Sequence, residues 1–277
     1  MSDNRPIGVF DSGVGGLTVA YELFKILKGE ELIYFADSLR APYGSLDSEV
    51  LLKYSCEVVD FFIGCDVKSV VLACNTLCAA VLDDLKIIYK EYDIIFQGVI
   101  DAGVLEIIEE KSENVGLLAT KNTVDLGTYA TKLKEYDNTI KLVSKPAAIF
   151  VSIVEKDIID KPLAYEAVKY HLRDLINAKV DTIVLGCTHF PIMQDLITHV
   201  LTEDYKVNVK LINPARKSAS NLYEILKKKN MLGSCSGSNY SSKISFYTSG
   251  SVCQFKGILD RIFDEEYEVN RIEIGEY

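Results

Sequence analysis

Residues 69–76 read SVVLACNT and residues 182–189 read TIVLGCTH. In both, a short β-branched apolar run stops at a small residue, and then come a cysteine and hydrogen-bonding side chains. Runs of this kind recur along the chain as IGVF (7–10), LIYFA (32–36), IIFQGV (94–99), VGLLA (115–119), KLVS (141–144), VKLIN (209–213) and ISFYT (244–248). Between them lie longer stretches such as LTVAYELFKILK, EVLLKYSCEVVDFFIG, LAYEAVKYHLRDLINA and ASNLYEILKKK. Their apolar residues return at intervals of three and four, the mark of a helix that buries one face. Strands that alternate with helices predict an α/β fold with mainly parallel sheets.

The two cysteine-ended strands also suggest an internal symmetry. IGVFDSGVGGLT (7–18) and VGLLATKNTVDLGT (115–128) both run strand, small polar turn, helix, and each is followed later by a strand that ends in cysteine. The chain therefore reads as two similar α/β halves, split near residues 98–102 and 213–216. Residues 216–277 add a helix, a strand and a helix, and spacing does not assign them to either half. LGSCSGSNYSSK (232–243) is small and polar and reads as a flexible loop. The charge runs KEYD and DEEYE read as solvated faces.

The composition narrows the function. A chain of 277 residues, 48% hydrophobic and 25% charged, has material for one large or two ordinary domains with cores. No apolar run approaches the roughly 20 residues that cross a bilayer. MSDNRPIGVF lacks the basic and apolar segments of a signal peptide. A formal net charge of −10 disfavours nucleic acid or an anionic membrane as the main partner. Seven cysteines and no export signal point to reduced thiols in the cytoplasm.

Ligands of open parallel sheets collect where strands end and loops turn into helices. DSGVGG (11–16), ADSLRAPYG (36–44), ACNT (73–76) and GCTH (186–189) fall at such ends. Each brings Ser, Thr, Asn, Asp or His next to Gly or Pro, so side-chain donors and open backbone N–H groups converge. None carries lysine and Arg40 is their one arginine, so a small anion would be held mainly by neutral donors. DSGVGG is no dinucleotide fingerprint, because position 18 is Thr where G-x-G-x-x-G needs Gly, and it has no GK[ST] ending. Gly13, Gly15 and Gly16 suit a tight strand-to-helix turn. Asp11 suits either a cap of the following helix or a catalytic auxiliary.

Free cysteines are most often simply buried. Cys56, Cys65, Cys235 and Cys253 share no polar neighbourhood and read that way. Cys78, four residues beyond Cys74, is placed to share its helix face. Cys74, Cys78, Cys187 and His189 could form a zinc site, but there is no C-x-x-C pair, and the small residues between favour a cleft. The other reading is a thiol at a helix N-terminus in each half, where the thiolate is favoured. One such thiol suggests a nucleophile, and two in related positions suggest a paired acid and base.

DSGVGGLT, ADSLRAPYG, ACNT and GCTHFP, in this order, closely resemble the glutamate racemases, cofactor-independent isomerases of the aspartate/glutamate racemase group. The resemblance runs from IGVFDSG to FYTSG (246–250). Cys78 and Phe190 depart from it, standing where a small residue and Tyr are frequent. It implies two pseudo-symmetric α/β domains, 1–98 plus 216–277 and 99–215, with the active site in the cleft between them. It also implies interconversion of L- and D-glutamate for peptidoglycan, with no cofactor or metal, in a cytoplasmic homodimer. Cys74 and Cys187 would be the facing acid and base, Cys74 serving D-glutamate and Cys187 L-glutamate. Asp11, His189 and Glu155 would assist them, with a solvated residue at a helix start as the plain alternative for Glu155. Asp11, Ser12, Pro42, Tyr43, Gly44, Asn75, Thr76, Thr188 and His189 would hold the substrate. A related isomerase acting on aspartate, a hydantoin or a dicarboxylate, and a homologue that regulates without catalysing, are the alternatives.

Overall fold

A computed structural model describes residues 2–234 and 242–275. Cys235 and most of the 232–243 stretch lie outside the described residues. The chain opens with β1 (Ile7–Asp11), α1 (Leu17–Ile26), β2 (Glu31–Ala36) and α2 (Ser48–Gly64). Then come β3 (Ser69–Leu72), the short α3 (Asn75–Ala80) and α4 (Leu82–Ile88), and β4 (Ile95–Gly98). α5 (Val99–Glu109) leads to β5 (Asn114–Ala119), α6 (Lys121–Leu126), α7 (Thr128–Tyr136), β6 (Lys141–Pro146) and α8 (Ala148–Glu155). α9 (Pro162–Asn177), β7 (Thr182–Gly186), α10 (Gln194–His199) and β8 (Lys210–Ile212) follow. α11 (Pro214–Lys228) returns the chain to β9 (Lys243–Thr248), α12 (Val252–Ile262) and β10 (Val269–Arg271).

Among the described residues all the strand pairings are parallel. One sheet has the order β10-β9-β2-β1-β3-β4 and the other β6-β5-β7-β8. Read in parallel, β2-β1-β3-β4 and β6-β5-β7-β8 are the same arrangement, so the symmetry seen in the sequence is one of topology. β9 and β10 extend the first sheet beyond β2. β1, β3 and β7 are buried along their whole length, as strands covered on both faces must be. Of the edge strands, β6, β8 and β10 are short or Lys- and Pro-bearing and more exposed, which guards them against edge-to-edge pairing.

The crossing segments are held by local chemistry. Asn213 caps α11 by accepting a 3.1 Å hydrogen bond from the Ala215 N–H, and Pro214 supplies a preset φ at the first turn. The Gln97 side chain of β4 donates to the Ser218 carbonyl of α11 at 2.6 Å, which ties the two crossings together. One core fills the six-stranded sheet and continues into α5, α7 and part of β5, while a second lies around Phe150, Leu172 and Phe190.

Candidate active site in the cleft between the sheets

In each sheet the chain turns one way from its first strand and later comes back on the other side, so a crevice opens at the carboxyl ends of β1 and β3 and of β5 and β7. Register brings the critical residues level. Asp11 ends β1 opposite Ala36, and the Ala73 N–H donates to the Phe10 carbonyl at 2.8 Å, so Ser12 and Cys74 leave the sheet side by side. Ala119 pairs with Gly186, and so Thr120 and Cys187 leave the second sheet side by side. The two crevices face one another across a cavity of about 310 Å³, ample for a small ligand.

Cys74 and Cys187 both line this cavity, each buried. Ser12, Pro42, Tyr43, Gly44, Asn75, Thr76, Thr188, His189 and Glu155 line it with them. Asp11 does not. It is fully buried beneath the glycine turn, where Oδ2 accepts the N–H groups of Gly13 at 3.1 Å and Gly16 at 3.0 Å. It therefore braces the turn, and one of the N–H groups it accepts belongs to Gly16, the N-cap residue of α1. Glu155 is the last residue of α8 and reaches the cavity, so the plain alternative of a solvated helix-start residue does not hold.

The glycine turn lies directly against the second cysteine's loop. A Cβ at Gly15 would lie 2.5 Å from Thr188 Oγ1 and 2.6 Å from His189 Nδ1, so nothing larger than hydrogen fits. Thr188 Oγ1 donates to Asp11 Oδ1 at 3.4 Å, and Thr18 Oγ1 donates to the Thr188 carbonyl at 3.3 Å. On the opposite wall the Tyr43 hydroxyl donates to Asp37, which also accepts from Arg40 Nε at 2.6 Å and Ser249 Oγ at 2.8 Å. Asp37 is thus a buried hub that holds the Pro42–Gly44 wall, and the Ala41–Pro42 peptide there is cis.

The electrostatics differ from the helix-terminus expectation. Burial, followed by the Asp11 charge, pushes the Cys74 thiol up to about 12, and the Leu77 N–H and the Ser12 hydroxyl, 3.7 Å away, only partly reverse this. Cys74 is the N-cap of α3, but a helix of six residues does not outweigh desolvation here. His189 Nδ1 lies 3.8 Å from Cys187 Sγ, and its Nε2 lies 3.4 Å from Glu155 Oε1. The second separation is within ion-pair range but outside hydrogen-bond geometry, so charge links these two. Burial works against a charged His189, but Cys187, then Glu155 and Asp11, outweigh it and raise the imidazolium to about 10. Each thiol thus has its own polar neighbours: Ser12 and Asp11 for Cys74, His189 and Glu155 for Cys187.

Cys78 does not reach the cavity. Its Sγ donates to the Leu72 carbonyl at 3.1 Å, and it packs against Gly98. Among the described residues, no three His, Cys, Asp or Glu side chains are grouped to hold a metal ion. A larger depression of about 470 Å³ at the amino ends of β5 and β6 is lined by Ser112, Asp137 and Thr139 and has no thiol or imidazole.

The sequence reading missed Thr120 and Lys121 as cavity residues. Thr120 caps α6, accepting from the Thr123 N–H at 3.4 Å, and its hydroxyl lies 3.0 Å from that of Thr76 across the cleft. The available signal was the symmetry itself, because Thr120 follows β5 as Ser12 follows β1.

The family model for Asp/Glu/Hydantoin racemase matches residues 53–220, a stretch that contains both cysteines. The chain belongs to this family. A glutamate racemase of Thermoanaerobacter pseudethanolicus is 37% identical over 280 residues, covering 99% of this chain and all of that protein. Two solved structures are also similar over 98% of both chains. A glutamate racemase isoform from Bacillus anthracis is 33% identical with a TM-score of 0.89. The enzyme from Francisella tularensis, crystallised with D-glutamate, is 31% identical with a TM-score of 0.86. No described helix is long and apolar enough to cross a membrane.

Proposed function

We propose that this protein interconverts L- and D-glutamate by a two-base mechanism and so supplies D-glutamate for peptidoglycan. The observation that carries this reading is the placing of two buried thiols, Cys74 and Cys187, at equivalent strand ends of two facing sheets. Racemisation takes a proton from one face of Cα and delivers another to the opposite face. A single base tends to return the proton to the face it came from. A thiolate on one side and a thiol on the other remove that difficulty, and they exchange states with each turnover. In this reading Cys74 removes the proton of D-glutamate and Cys187 that of L-glutamate.

The neighbours give each thiol a partner for its change of charge. The raised His189 is a resident cation beside Cys187, with Glu155 holding that charge in place. Cys74, kept neutral by burial and Asp11, is the complementary proton donor in the resting enzyme. Asp11 acts on Cys74 through the turn, without touching substrate, so its expected substrate contact is not part of this reading. Asn75, Thr76, Thr188, Ser12, the Tyr43–Gly44 wall and Thr120 offer neutral donors for the substrate's charged groups, preorganised in a site from which water can be excluded. The two bodies, 1–98 with 216–277 and 99–215, close over the substrate about hinges near 98–102 and 213–216. The enzyme works as a homodimer, which sedimentation would report as two chains per particle.

The direct test is circular dichroism of L-glutamate incubated with purified protein and no added cofactor, with L-aspartate and a hydantoin as comparison substrates. Decay of the glutamate signal to zero, with the comparison substrates unchanged, is expected. A stable glutamate signal would refute the proposal.

A further inference from the structure

An asparagine that holds a carboxylate must offer its N–H₂ group and turn its carbonyl away. The two ends of the amide have nearly the same shape, so something else has to choose between them. Asn75 begins α3 on the first sheet's side of the cleft and lines the cavity. Across the cleft, Tyr129 of α7 is buried, and its hydroxyl donates to Asn75 Oδ1 at 3.0 Å. Among the described residues, this is the only hydrogen-bond acceptor that the phenol has. If the amide turned over, the phenol's proton would face an N–H₂ group and be left buried without a partner, a costly state. The geometry therefore holds Oδ1 on Tyr129 and presents Nδ2 to the cavity.

Room for the phenol comes from a third element. A Cβ at Gly103, on α5, would lie 3.0 Å from Tyr129 Oη and 3.2 Å from Pro214 Cγ. Glycine at this position lets the ring sit where its hydroxyl meets Asn75.

We infer that Tyr129 is a positioning residue for the substrate: its hydroxyl orients the Asn75 amide so that Nδ2 donates to a substrate carboxylate. This rests on the glutamate reading above. Tyr129 touches no reacting atom. Its loss weakens a contact made equally to bound substrate and transition state, so KM changes and kcat does not.

The experiment measures racemisation of both enantiomers by the unsubstituted protein, Tyr129→Phe, Gly103→Ala and Asn75→Ala, and by Tyr129→Phe combined with Asn75→Ala. Tyr129→Phe is expected to raise KM for both enantiomers about tenfold, the worth of one well-placed hydrogen bond. Its kcat should stay within about twofold, as expected for uniform binding. Gly103→Ala, which crowds the phenol from the other side, should raise KM in the same direction but by less. On the Asn75→Ala background, Tyr129→Phe should change nothing further. An unchanged KM in Tyr129→Phe, or a tenfold cost that persists without Asn75, would overturn the inference while leaving the function intact. Absence of glutamate turnover in the unsubstituted protein would overturn the functional reading and this inference with it.

Discussion

Replacing Gly15 by alanine adds one methyl group at the point where the two halves of the site meet. That methyl would lie 2.5 Å from Thr188 Oγ1, 2.6 Å from His189 Nδ1 and 2.9 Å from His189 Cε1. Comfortable contact needs about 3.5 Å, so the imidazole and the hydroxyl, or the whole turn, must retreat by roughly 1 Å. If His189 moves, it leaves its 3.8 Å contact with Cys187. If the turn moves, it carries Asp11, whose carboxylate is bound to the Gly13 and Gly16 N–H groups. Either way one thiol loses its charge partner, and a misplacement of about 1 Å costs on the order of 100-fold in rate. The assay is racemisation of each enantiomer followed by circular dichroism. Enantiomers have equal free energy in water, so the two kcat/KM values must fall together, which gives an internal check on the data. Gly257→Ala is the control: it lies within α12, a Cβ there meets nothing within 4 Å, and activity should not change. A Gly15→Ala enzyme as active as its parent would refute the claim that this turn sets the catalytic geometry.

Further outcomes follow from the site's charges and its supporting wall. His189, raised from 6.5 to about 10, should hold its proton through neutral pH, and nitrogen NMR of labelled histidine would show this. Cys187→Ala should bring that titration down, because burial then acts against the charge with less opposition. Since the folded value is the higher one, the stability tied to this proton is complete below pH 6.5 and is lost as pH rises through about 10. Denaturant unfolding of His189→Gln should accordingly show a flatter profile than the parent across that window. Asp37→Ala would leave Tyr43, Arg40 and Ser249 without their common acceptor. Loss of one partner from such a buried charged group costs about 3 kcal/mol, readable as a lower urea midpoint, and KM should rise as the Tyr43 wall loosens.

Much of the fold could be read from the chain because its central strands are continuous apolar runs that stop abruptly at Gly, Cys or Asp. β10 could not, since VNR is a three-residue edge pairing next to an acidic run and has no period of its own. The same contrast holds in the site. Ser12, Asn75 and Thr188 stand beside their cysteines or at the glycine turn, so local sequence reveals them. Thr120 and Tyr129 enter from elements whose local sequence shows only a helix cap and a buried aromatic, and only the facing of the two sheets gives them a role. The protonation of Cys74 is hidden from local sequence for a related reason. The helix start that favours a thiolate is local, whereas burial and the Asp11 charge that oppose it arise from tertiary packing.

The central claim is that Cys74 and Cys187 work from opposite faces of one substrate carbon. Its most direct test follows α-proton exchange by NMR in deuterated water, with each enantiomer given separately to Cys74→Ser and to Cys187→Ser. The account predicts that both variants keep their fold and lose racemisation, and that any exchange left in one variant is confined to the enantiomer that the other variant leaves untouched. Racemisation at the parent's rate by either variant, or exchange of both enantiomers by one of them, would contradict it.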